Sequence, residues 1–110
     1  MIPTHRQPTH PGEMLLEEFL KPMQLTQVVA AAKMKIPVNR LNEIVRGKRG
    51  VTADTALRLA KLMKTSPEFW MNLQQRYDLE MRRDQIAPEL KRNIRPLSPR
   101  AILGRWRTCL

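Results

Sequence analysis

Pro37 and Gly47 fence off one short helical run, and that bracket does most to limit what this chain can fold into. Proline suits a helix only at its start, where the missing N–H has no intrahelical partner to lose. Glycine is the favoured left-handed residue just past a helix end. The spacing therefore predicts a helix that takes Pro37 as its first residue and stops before Gly47. Ile36, Leu41, Ile44 and Val45 then face inward, and Asn39, Arg40, Asn42, Glu43 and Arg46 lie on outer arcs, with Val38 near the front. A helix this short is marginal alone and must be buried against others.

The same punctuation recurs along the chain and predicts an all-α fold of five helices with no convincing strand. The first runs from about residue 12 to 21, with Leu15, Leu16, Phe19 and Leu20 on one face, Glu13, Glu17 and Glu18 outward, and Pro22 closing it. Thr26 is the expected N-cap of the second, at about 27 to 33, with Leu25 placed to staple against Ala30. The fourth follows Thr52 on an apolar stripe of Ala56, Leu57, Ala60 and Met63. The fifth has Ser66 as cap, Pro67 at the first position and Glu68 in the first turn, then Phe69, Trp70, Leu73 and Tyr77 as its stripe.

At 110 residues this is one domain, expected over 11–85, between a flexible arm at 1–10 and a basic tail at 86–110. Its net charge of +10 and pI near 10.9 should attract a polyanion, and nucleic acid leads that class. No apolar run of transmembrane length or signal-peptide core supports a membrane partner, so a cytoplasmic protein is expected. Cys109 has no partner for an internal disulfide, and His5 and His10 lack clustered co-ligands, so neither a metal nor another cofactor is expected. With no catalytic Cys/His pair, phosphate-cradling Gly loop or Ser nucleophile in a catalytic setting, an enzyme is not expected.

Two helices joined by a few residues, the second short and rich in hydrogen-bonding side chains, are the sequence form of a helix-turn-helix. The major groove of B-DNA admits one α-helix, where Asn can pair with adenine and Arg with guanine. The candidate base readers are Val38, Asn39, Arg40 and Glu43. Two readings of Glu43 stay open, as an acceptor for a cytosine amino group or as a repeller of phosphate at wrong sequences. The candidate phosphate contacts are Thr26 and Gln27 at a helix start, Lys35 in the turn, and Arg46, Lys48 and Arg49 at the recognition-helix exit. The bland reading of the last three is a solvated helix end, where cations are favourable anyway.

At "HPGEMLLEEFLKPMQLTQ" and "LNEIVRGKRGVTADTALRLAKLMKTSPEFWMNLQQRYDL" the chain resembles the lambda-repressor-like helix-turn-helix proteins, and within them the HigA-type antitoxins of bacterial toxin–antitoxin modules. The likeness covers about residues 10 to 80, and its His-Pro-Gly-Glu and Ser-Pro-Glu-Phe-Trp segments are not required by helix-turn-helix physics. It implies a dimeric repressor of its own operon that binds a palindromic operator in double-stranded DNA and pairs with an mRNA-cleaving toxin. Lys35 stands where the family usually has Gly, and Pro37 where it often has a Ser or Thr cap. Lys35 must then adopt a left-handed conformation.

Trp70, Leu73 and Tyr77 are the expected homodimer interface, since so short a chain would otherwise expose that stripe. In the tail, Lys91, Arg92, Arg95, Arg100, Arg105 and Arg107 against Glu89 leave +5, while Pro88, Pro96 and Pro99 are expected to break any long helix. Contact with the DNA backbone, folding on a partner and mere solubilisation are three readings open for it. A helix-turn-helix module whose main work is to neutralise a toxin is the alternative to a repressor.

Overall fold

A computed structural model describes residues 9–97. Among them the chain forms α1 (Pro11–Leu15), a π-helical continuation over Leu16–Leu20, α2 (Gln27–Met34), α3 (Val38–Val45), α4 (Ala53–Met63) and α5 (Pro67–Asn93), with no strand. Thr26, Thr52 and Ser66 cap α2, α4 and α5 through hydroxyls that accept from Val29, Thr55 and Phe69 N–H, as their sequence positions predict.

The first helix departs from a regular α-helix for a packing reason. In an α-helix, residues five apart are about 140° apart around the axis. The π turn, with Lys21 N–H donating to Leu16 C=O at 3.0 Å, brings Leu15 and Leu20 to one side, and both are buried. Leu16 and Phe19 are left half-buried. The helix starts at its expected place for a reason outside the flexible-arm expectation: His10 is buried, and its Nδ1 accepts from Gly12 N–H at 2.9 Å as the N-cap. Gly12 in turn lets α1 meet the end of α3, because a Cβ there would lie 1.8 Å from the Ile44 carbonyl oxygen.

Leu15, Leu20, Leu41, Ile44, Ala56, Leu59 and Trp70 form the centre of the core. Two stripes are corrected. In α4 the inward residues are Ala56, Leu59, Ala60 and Met63, while Leu57 is 61% exposed, because it lies about 100° from Ala56 around the helix. In α5, Trp70 is fully buried within its own chain and donates through Nε1 to Thr65 Oγ1 at 2.8 Å. It cannot be a subunit contact; Leu73 is half-buried against the same core, and Tyr77, also half-buried, lies edge-on to His10.

Pro88 does not break α5, which continues to Asn93 through the stretch expected to begin the tail. The bond Pro88 cannot donate to the Asp84 carbonyl is lost where Asp84, Gln85 and Ala87 are all exposed, so water is close at hand. At 27 residues, α5 is about 40 Å long, and from Asp78 to Asn93 every residue but Met81 and Ile86 is exposed, so its far end overhangs the bundle. No helix of the described residues is long and apolar enough to cross a membrane. Of the tail's cations, Lys91, Arg92 and Arg95 are exposed, whereas Arg100, Arg105 and Arg107 lie outside the described residues.

Candidate nucleic-acid interface

The turn between α2 and α3 is built on Lys35, whose φ of 61° and ψ of 42° are left-handed as the sequence requires. Its N–H donates to Ala32 C=O and that of Ile36 to Ala31 C=O at 3.1 Å, which closes α2 with a Schellman-like pair. Pro37 is the cap of α3 with extended backbone rather than its first helical residue. The difference follows from ψ: at 143° Pro37 is not yet helical, while its carbonyl already accepts from Arg40 and Leu41 N–H. At the other end Gly47 has φ of 76°, and Lys48 N–H reaches back to Glu43 C=O at 2.8 Å.

Side chains lock the two helices together. Asn42 Nδ2 donates to Gln27 Oε1 at 3.0 Å, which leaves the Gln27 amide N–H groups as donors at the start of α2. Arg58 Nη1 donates to Met34 C=O at 2.7 Å and so satisfies a carbonyl at the end of α2. Gln74, buried in α5, accepts from Val51 N–H at 2.7 Å and donates to Asp78 at 2.9 Å, fixing the loop that follows the basic turn.

On that frame, Leu41 and Ile44 point into the core and Asn39, Glu43 and Arg46 turn away from it. Asn39 and Arg46 are exposed, as are Lys35, Lys48, Arg49 and the cap Thr26; Val38 is 40% exposed at the front. Glu43 is half-buried and accepts from Arg49 at 3.1 Å, so a candidate base reader and a candidate phosphate contact are paired to each other in the free protein. Arg40 differs most from its expected exposed role. It is half-buried, and its Nη2 donates to Asp54 Oδ2 at 2.8 Å and to Thr55 Oγ1 at 2.5 Å, both on α4. Asp54 also accepts from Arg58 Nε at 2.9 Å, and hydrogen bonds from Arg40 and then Arg58 hold its carboxyl below the usual carboxylate value.

His10, Asp54, Arg58 and Gln74 are structural members of the site that the sequence reading did not single out. Asp54 and Arg58, four apart on a helix, were visible as an i,i+4 pair. His10 before Pro-Gly was visible as a cap, whereas the contacts of Gln74 with Val51 and of Asp54 with Arg40 join distant segments.

The sequence model of the HTH_3 helix-turn-helix family matches residues 16–70, from the π turn through Trp70. The antitoxin HigA-1 of Vibrio cholerae is 39% identical over 98 residues, which cover 88% of this chain and 90% of that one. The chain belongs to the HigA antitoxins of the HTH_3 family. Virulence-associated protein I of Dichelobacter nodosus is 50% identical over 72 residues, 66% of this chain and 67% of the relative. The HigA antitoxin of Pseudomonas aeruginosa, solved with the higBA promoter, superposes with a TM-score of 0.80 at 38% identity, covering 84% of this chain and all of that one. The HTH_3 match stops at Trp70, so it holds α3 and its support, and the overhang of α5 lies beyond it.

Proposed function

We propose that this protein is a cytoplasmic, sequence-specific DNA-binding repressor that serves as the antitoxin of a HigB–HigA-type module, autoregulates its operon and partners an mRNA-cleaving toxin. The observation that carries the reading is α3 itself. It is closed by a left-handed turn on one side and a basic turn on the other, turns Asn39, Glu43 and Arg46 outward, and has a counterpart solved on promoter DNA. Val38 and Asn39 reach base edges from the front of the helix, and Glu43 and Arg40 join them once their own partners release them. Gln27, Lys35, Arg46, Lys48 and Arg49, with the α2 terminus at Thr26, hold phosphates on either side.

A homodimer completes the proposal. Leu79, Ile86 and Leu90 share one stripe of the overhanging α5, and Ile94 follows it; Leu79, Leu90 and Ile94 are exposed. A second copy packed there would set two α3 helices on half-sites about 34 Å apart. The same open stripe supports a second reading, in which it grips the toxin and DNA contact is secondary. Light scattering of the protein alone, then a shift assay on its own promoter, decides between them. A dimer that binds the promoter well above a scrambled duplex is the expected result; a monomer that ignores duplex DNA would remove the main reading.

A further inference from the structure

Arg40 carries the guanidinium best suited to read guanine, yet in the free protein it is occupied. Its Nη2 has two hydrogens, and Asp54 Oδ2 at 2.8 Å and Thr55 Oγ1 at 2.5 Å accept both. A two-bond contact with guanine uses either Nε with Nη2 or Nη1 with Nη2, so each fork needs the atom that is taken. Asp54 is itself tethered: Arg58 Nε donates to it at 2.9 Å while Arg58 Nη1 is fixed on Met34 C=O at 2.7 Å. Its place in the first turn of α4 also sets its negative charge against the positive end of that helix.

We propose that Asp54 is a specificity-determining residue, which withholds Arg40 from DNA unless a base edge offers two acceptors in return. This rests on the reading of α3 as the recognition helix. Leaving Asp54 for a phosphate exchanges one anion for another and gains little. Leaving it for the O6 and N7 of guanine gains a paired contact, so cognate DNA recruits Arg40 and random DNA does not.

The test titrates the full chain and its Asp54→Ala and Asp54→Asn variants on the protein's own promoter and on a scrambled duplex of equal length, at two salt concentrations. Freed Arg40 should tighten binding to scrambled duplex roughly three- to tenfold and steepen its salt slope by about one unit. The promoter should gain less, so discrimination falls. In an Arg40→Ala background the Asp54 change should shift scrambled binding by less than about twofold, whereas in an Arg58→Ala background its effect should persist. An equal gain with and without Arg40 would mean simple loss of a repelling charge and would overturn the proposal, as would unchanged scrambled binding. Circular dichroism melts identify a variant that has lost its fold, and the near-isosteric Asn then carries the test. A wild-type chain that binds neither duplex would instead defeat the DNA-binding reading itself.

Discussion

Asn39 and Lys48 are both polar, exposed and close in sequence, yet the proposed function gives them different work. Asn39 is on the outer arc of α3 and can contact a base, so Asn39→Ala should cost about 1–3 kcal/mol on the promoter and much less on scrambled duplex. Lys48 follows the left-handed Gly47, past the end of α3, and its proposed contact is with the DNA backbone. Lys48→Ala should weaken both duplexes alike and flatten the salt slope by about one unit, and shift titrations at two salt concentrations read both effects.

His10 is a residue-scale device of another kind, since burial lowers its pKa from 6.5 against the opposing pull of Asp78 and then Glu13. The unfolded chain therefore takes up the proton first as pH falls. The stability contributed by the neutral imidazole is present above about 6.5 and is lost as pH drops below it toward the folded-state value. Protonation would also turn the Nδ1 acceptor for Gly12 N–H into a donor. Melting temperatures should fall from neutral toward about pH 5. In His10→Asn, which can still cap without titrating, that fall should be shallower; equal slopes would remove His10 as its source.

At the scale of the element, helix ends were legible because their chemistry is local. Thr26, Thr52 and Ser66 are caps by sequence position and caps by geometry, and Gly47 and Lys35 are left-handed where the pattern demands it. Proline was read less well. Pro37 stands one position outside α3, and Pro88 sits inside α5, because a proline raises the cost of a helix there without deciding whether neighbours and water can meet it. Pro88→Ala should raise helix content by circular dichroism while leaving the main melting transition in place, since the turn around Pro88 is exposed. A large upward shift of the main transition would mean that the overhang is coupled to the core.

For the whole molecule, the relocation of Trp70 changes what a dimer can be made from. Trp70→Ala should act as a core truncation, costing about 3–5 kcal/mol of stability. Replacing Leu90, exposed on the overhang, with Asp should leave the fold intact and yield monomers with weakened promoter binding. Light scattering and a melt on each variant separate the cases. A Leu90→Asp dimer of unchanged affinity would place the interface elsewhere.

The all-α class, the five helices and the helix-turn-helix between Thr26 and Gly47 were set by local rules that sequence carries: period, caps, and the few residues that tolerate a left-handed backbone. The outward set of α3 followed as well, because Leu41 and Ile44 name the inner face and thereby the outer one. Tertiary structure alone decided which of those outward groups are at liberty. Arg40 meets Asp54 across fourteen positions, Gln74 meets Val51 across twenty-three, and His10 lies edge-on to Tyr77 with ring centroids 4.8 Å apart. No periodicity reports such pairs. They arise where elements distant in sequence pack, and there a buried or half-buried polar atom takes whichever partner the packing brings, because leaving it without one costs more than any local preference.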